Sequence, residues 1–348
     1  MKFSVLGCGR WGSFISWYLC SKKGYDVCLY GRESSKAFQL LKNTRKNEYV
    51  SLDEKILLTS ELEKAVDFAD IIIISISAQN LREFVRDLVA NYHLKDKKII
   101  LCMKGLETPS GKRLTQVCIE EGIDKNNIAV WLGPGHIQDF TNGIPNCMTI
   151  DSYNKELTYF LADNLASDLI RFYYGDDIIG NEIGAACKNI MGICAGALDG
   201  LGFGAMKGPL MVRGAFEVSK FITAMGGDGY TAYGLTHLGD YETTLFSKYS
   251  NNRNFGEKLA LGLPFEKLAE GVKTSEAVYK KAQQMGVDMP ITEAVYKVLF
   301  ENADLKAAIS SLFNRSVKTE KYSWFLKQKI FPRYWSSEGI FYLLCKKI

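Results

Sequence analysis

Over the first 175 residues, short runs of Val, Ile and Leu alternate with stretches whose apolar positions recur at helical spacing. The runs predict strands at 2–6, 27–30, 56–58, 71–76, 98–102, 129–132, 148–150 and 169–173. Helical patterns fall between them at 12–22, 62–68, 81–91, 112–121 and 155–166. IIIISI at 71–76 has a single polar position, which suits a parallel strand covered on both faces. Strand–helix alternation of this kind predicts a doubly wound α/β sheet. After about Gly175 the strand signals vanish. An apolar helix at 183–198 follows, then helices at 214–224, 242–249, 255–261, 264–271, 274–285 and 290–300. The expected domains are therefore 1–176, an α/β sheet, and 177–348, all-helical, the second ending in an extra aromatic and basic tail from about 322.

Composition narrows the function classes. A chain of 348 residues with 47% hydrophobic and 24% charged positions has enough apolar surface for two globular cores. The net charge of +4 is spread thinly, so no nucleic-acid footprint is present. Nine cysteines form no C-x-x-C pair and only three histidines exist, so no metal site is expected and the thiols read as reduced, in a cytoplasmic protein. MKFSVLGCGRWG reads as a strand entering a glycine loop and not as a signal peptide. The 183–198 helix contains Lys188 and falls short of the ~20 residues that cross a bilayer, so no transmembrane segment is expected.

Gly7-x-Gly9-x-x-Gly12 follows the first strand directly and opens a helix, the setting of a dinucleotide-binding turn. Gly7 permits the turn, Gly9 lets backbone approach a pyrophosphate, and Gly12 allows close helix–strand packing. At the end of the second strand an NAD-specific site places an acid for the ribose 2′-hydroxyl. Here the strand ends Tyr30-Gly31-Arg32, with Glu33 beside it, so the reading leans towards NADP and leaves NAD open. Met103-Lys104-Gly105-Leu106 and Gly133-Pro134-Gly135 fall at the carboxyl ends of predicted strands, where ligands bind in open sheets. Lys188 lies in a helix otherwise made of Ile, Ala, Cys, Met and Gly. It either reaches solvent along its stem or is desolvated and readied for proton transfer by burial or by a second lysine.

An ordered series of segments resembles the NAD(P)-dependent sn-glycerol-3-phosphate dehydrogenases over about 310 residues. It comprises GCGRWG at 7–12, MKGLET at 103–108, GPG at 133–135, GAACKNIMGICAGALDGLGFG at 184–204, VRGAFE at 212–217, YGLTHLGD at 233–240, NNRNFG at 251–256 and AEGVKTSEAV at 269–278. The resemblance implies a Rossmann domain followed by a helical domain like that of 6-phosphogluconate dehydrogenase. It implies Lys188 as the proton-transfer lysine, Lys104 as a contact to both cofactor and substrate, and Asp240 and Thr244 beside them. Gly7, Gly9, Arg10, Trp11, Gly12, Arg32, Ile137 and Glu270 would meet the cofactor. Gly133, Gly135, Asn189, Ser250, Asn251, Asn252 and Arg253 would meet the substrate. It further implies a homodimer that supplies glycerol phosphate for phospholipid synthesis.

Two departures bear on the substrate. The family's serine-arginine-asparagine-arginine run is Ser250-Asn251-Asn252-Arg253, so Asn251 stands where an arginine grips phosphate, and asparagine lacks that charge. Arg253 is the expected replacement. The GPSFA-type loop is GPGHI, putting His136 where an aromatic is usual, as a phosphate donor or a packed ring. Two other functions are weighed: the same chemistry on another small phosphorylated polyol or a β-hydroxy acid, and a non-catalytic dinucleotide sensor, which would predict decay of the lysine site. For the tail, docking on protein is preferred to an interfacial membrane contact.

Overall fold

The computed structural model describes residues 1–316. In chain order its elements are β1 (Lys2–Leu6), α1 (Arg10–Trp17), β2 (Asp26–Tyr30), α2 (Lys36–Thr44), β3 (Leu57–Thr59), α3 (Leu62–Phe68), β4 (Ile71–Ile74), α4 (Leu81–Asn91) and β5 (Lys98–Leu101). They continue with α5 (Leu114–Glu120), β6 (Ile128–Leu132), α6 (Ile137–Thr141), β7 (Asn146–Ser152), α7 (Lys155–Leu165) and β8 (Ile170–Tyr174). The helical lobe holds α8 (Ile178–Gly200), α9 (Lys207–Ala224), α10 (Asn251–Ala260), α11 (Glu270–Gln284), α12 (Pro290–Phe300) and α13 (Leu305–Phe313). The chain forms one compact unit through Ile309, and a second begins at Ser310, inside α13.

The eight strands form one sheet in the order β3-β2-β1-β4-β5-β6-β7-β8. Neighbours run parallel except β6 and β7. All four isoleucines of β4 are buried, with Ile73 in register with Val5 of β1 and Ile100 of β5. Strand order reverses between β1 and β4, and a crevice opens there at the strands' carboxyl ends. The turn after β1 occupies it. Gly7 adopts φ +118°, and a Cβ on it would sit 2.1 Å from the Ser75 carbonyl oxygen. A Cβ on Gly12 would sit 1.8 Å from the Gly7 oxygen, so α1 packs hard against the turn it follows.

Asp177 starts α8 by accepting a bond from the Gly180 amide at 3.0 Å. Nearly the whole of this helix is buried, and its glycines explain how. A Cβ on Gly196 would meet the Arg253 carbonyl oxygen at 1.8 Å, and one on Gly256 of α10 the Ile193 oxygen at 2.0 Å. The two helices therefore touch backbone to backbone.

The structure departs from the predicted elements in several places. Helices α2, α6 and α13 were not expected; α2 buries only Phe38 and Leu41, too little apolar surface to set a pattern. Predicted helix 264–271 is absent, since Leu261, Leu263 and Leu268 are exposed and α11 starts only at Glu270. Predicted helix 242–249 is one π-helical turn, Glu242–Phe246. Among the described residues no helix is long and apolar enough to cross a membrane, no group of acids, histidines and cysteines is placed to hold a metal, and the cysteines are free. The tail from about 322 lies outside the described residues.

Candidate active site

A cleft of about 1400 Å³ runs from the crevice at β1 and β4 to the buried helix α8. Its near end is lined by Gly7, Gly9, Arg10 and Trp11, then by Gly31, Arg32 and Ser35 beyond β2. Gly9 is the N-cap of α1; a Cβ there would meet nothing within 4 Å, no side chain caps the helix, and no acid sits in its first turn. Free amides at an uncapped helix start, reached across a glycine with open space above it, fit a dinucleotide's pyrophosphate. Arg32 faces the cleft. Glu33 does not: its carboxylate is held at the surface by Lys42 at 2.9 Å and Gln39 at 2.8 Å. The acid that would bond a ribose 2′-hydroxyl is thus engaged elsewhere, which suits a 2′-phosphate on Arg32.

The far end is built from side chains. Lys104, on the loop after β5, donates to the Gly133 carbonyl at 2.8 Å and to Asp240 Oδ2 at 2.8 Å. Lys188 Nζ lies 2.5 Å from the same Asp240 oxygen and donates to Thr244 Oγ1 at 2.9 Å. The other oxygen of Asp240 accepts the Thr243 hydroxyl. Lys188 is only 6% exposed and Asp240 is wholly buried. Burial lowers the Lys188 pKa to about 7, the Lys104 ammonium adds to the drop, and the Asp240 carboxylate opposes it. Burial by itself would raise the Asp240 carboxyl; the two ammonium groups outweigh it and hold the acid below its ordinary value. Both ways of readying Lys188 weighed from sequence are present at once, and the solvent-reaching alternative is not what the fold adopts.

Hydrogen bonds from deeper layers hold this group. His237 Nδ1 lies 2.8 Å from the Gly184 carbonyl and can only donate to it, so Nε2 accepts the Tyr241 hydroxyl at 2.7 Å. Burial lowers the His237 pKa to about 4 and keeps the ring neutral. The loop carrying Asp240 is thereby tied to α8 one turn before Lys188. His237, Tyr241 and Thr243 were missed as site residues, although His237 lies inside the YGLTHLGD segment. Asn189 accepts from Asn252 Nδ2 at 3.0 Å, and Asn252 Oδ1 accepts from the Gly271 amide at 2.9 Å. Asn189 lines the cleft, and its Nδ2 is buried without a partner. Glu270, the first residue of α11, also lines the cleft, and enclosure raises its carboxyl.

Several expected contacts lie elsewhere. Arg253 does not enter the cleft: its guanidinium is spent on Asp199 at 2.7 Å, Glu257 at 3.0 Å and Asn254 at 3.1 Å. It cannot replace the missing arginine without breaking those pairs. Asn251 lines the cleft, with its amide turned to the Leu268 carbonyl at 3.2 Å. Ser250 also lines it, its hydroxyl capping α10 through the Arg253 amide at 3.3 Å. Gly12 supports the turn from behind, Ile137 is wholly buried at the start of α6, and Gly133 contributes its carbonyl to Lys104; none of the three lines the cleft, whereas Gly135 does.

A family model described as NAD-dependent glycerol-3-phosphate dehydrogenase N-terminus matches residues 2–158, and its C-terminus counterpart matches 177–310. A glycerol-3-phosphate dehydrogenase of Prosthecochloris aestuarii, named for NAD(P)+, is 34% identical over 333 residues, covering 92% of this chain and 100% of the relative. One of Fusobacterium nucleatum with the same name is 35% identical over 337 residues, covering 93% and 100%. The solved glycerol-3-phosphate dehydrogenase of Coxiella burnetii is similar with a TM-score of 0.83 at 26% identity, covering 90% of this chain and 99% of that one.

Proposed function

Because the chain belongs to the NAD-dependent glycerol-3-phosphate dehydrogenase family, we propose that it interconverts sn-glycerol 3-phosphate and dihydroxyacetone phosphate. The observation that carries this reading is the pair of ammonium groups sharing Asp240 Oδ2 at the end of a cleft that begins at the glycine turn. When bound there, the nicotinamide supplies hydride to C2 or accepts it. Gly9 and the start of α1 would hold the pyrophosphate, with Arg10 and Trp11 beside them, and Glu270 would meet the nicotinamide end. Arg32 favours NADP over NAD.

In the reductive direction Lys188 gives its proton to the C2 oxygen, and in the oxidative direction its neutral amine takes that proton away. Near neutral pH it exists in both forms, as both directions require. Lys104 stabilises negative charge developing on the same oxygen. Asp240 holds both ammonium groups on one side of that atom, and Thr244 fixes the rotamer of Lys188. Asn189 and Asn252 position the substrate against them. In this reading 1–176 carries the cofactor and 177–348 the proton donor.

The test is direct. Purified protein should oxidise NADPH, and NADH more slowly, when dihydroxyacetone phosphate is added, followed by loss of the reduced nicotinamide's absorbance. Absence of that loss with both cofactors rejects the reading. The runner-up, a β-hydroxy acid substrate, would show itself as turnover of the corresponding keto acid instead. A homodimer working in the cytoplasm on phospholipid precursors belongs to the same proposal, and sedimentation equilibrium checks the dimer.

A further inference from the structure

The run at 250–253 offers no arginine to a phosphate: position 251 is Asn, and Arg253 is tied to Asp199 and Glu257. Lys104 and Lys188 are committed to Asp240 and to the reacting oxygen. The phosphate end of the substrate therefore needs a donor that the catalytic group does not use. Three cleft-lining residues carry a buried side-chain nitrogen with no partner among the described residues: Arg10 Nε at the glycine turn, and Asn189 Nδ2 and His136 Nε2 at the far end.

His136 is the N-cap of α6, but its side chain makes no capping bond. It is 8% exposed, with its ring edge-on to Tyr249 at 5.6 Å. Leaving a buried ring nitrogen unpaired costs free energy unless something outside the chain satisfies it. Charges act on this ring from every side: Arg10 and Lys188 as cations, Asp139 and Asp240 as anions. Burial and the two cations prevail and keep it neutral, lowering its pKa to about 4. A neutral imidazole with its proton on Nε2 gives that N–H to an anion in the cleft.

We propose that His136 Nε2 donates a hydrogen bond to the substrate's phosphate and takes over part of the work of the arginine replaced by Asn251. The proposal rests on the dehydrogenase reading and makes His136 a specificity-determining residue, with no part in proton transfer.

The test uses full-length His136→Phe and His136→Gln. The phenyl ring preserves packing against Tyr249 and removes the donor; glutamine keeps a donor. For dihydroxyacetone phosphate, His136→Phe should raise KM about tenfold with kcat nearly unchanged, the loss expected for one hydrogen bond to a charged group. His136→Gln should recover most of it. With unphosphorylated dihydroxyacetone both variants should match the parent. Only three histidines are present, so imidazole nitrogen resonances offer a second readout on unmutated protein. Glycerol 3-phosphate should shift the His136 signal, and glycerol at equal concentration should not. Unchanged KM, or equal losses with phosphorylated and unphosphorylated substrates, overturns the proposal. An unmutated enzyme that turns over neither substrate fails the dehydrogenase reading instead, and the resonance titration then decides phosphate binding alone.

Discussion

The two ends of the cleft are built from different materials. At the glycine turn the recognising groups are backbone amides, and the side chains that matter are those that are missing: a Cβ on Gly7 or Gly12 would collide with carbonyl oxygens. At α8 the groups lining the cleft are side chains: Lys188 is paired with Asp240 and Asn189 with Asn252, while Asn189 Nδ2 is left without a partner. Backbone recognition is insensitive to truncation and destroyed by bulk. Side-chain recognition is the reverse.

The sharpest way to break the contrast is Lys188→Ala. We expect kcat to fall by about 10³-fold, the worth of a positioned proton donor, with NADPH binding unchanged by fluorescence titration. Lys188→Ala should not cost stability, because Asp240 keeps Lys104 and the helix loses a buried charge. In the parent enzyme the proton form of Lys188 sets the direction. Reductive kcat/KM should decline as pH rises through about 7, and oxidative kcat/KM should climb over the same interval. A profile flat across that interval would show that another group moves the proton.

Gly12→Ala attacks the other end. It should destabilise the protein by about 2–3 kcal/mol in urea melts, since the methyl group overpacks the turn, and weaken both cofactors together. Arg32→Ala should raise KM for NADPH about tenfold and leave NADH nearly untouched, reading a side-chain contact at the backbone end. Smallest of all, Asn251→Arg should lower KM for dihydroxyacetone phosphate by about threefold, because a restored guanidinium adds charge at the rim, where solvent screens it. Unaltered KM in that variant would mean the rim plays no part in phosphate binding.

The same contrast explains what could be read from the chain. Strands such as β4 and helices such as α4 and α12 were legible to within a few residues because burial on a regular period writes itself into residue type. The glycine turn was legible because the spacing itself is the constraint. Lys188 stood out as a cation among apolar neighbours, yet nothing local tells that Asp240, 52 positions later, shares its oxygen with Lys104, since the meeting depends on how the 238–246 segment folds back on α8. Arg253 misled for the same reason. Its sequence position suits a phosphate grip, and its actual partner, Asp199, lies on another helix at no recognisable spacing. His136 and Asn189 were already candidates from the chain, and what it could not tell is that each keeps an unpaired buried nitrogen.

The glycine contacts between α8 and α10 carry a consequence for anyone reshaping the enzyme. Helices that meet at their backbones leave no slack for repacking, so Asn189 and Asn252 move together or not at all. Room for new substrates lies instead at Met103 and His136, which line the opening outside those two helices. Directed evolution of altered scope should accumulate changes at those two positions and leave the helical seam silent.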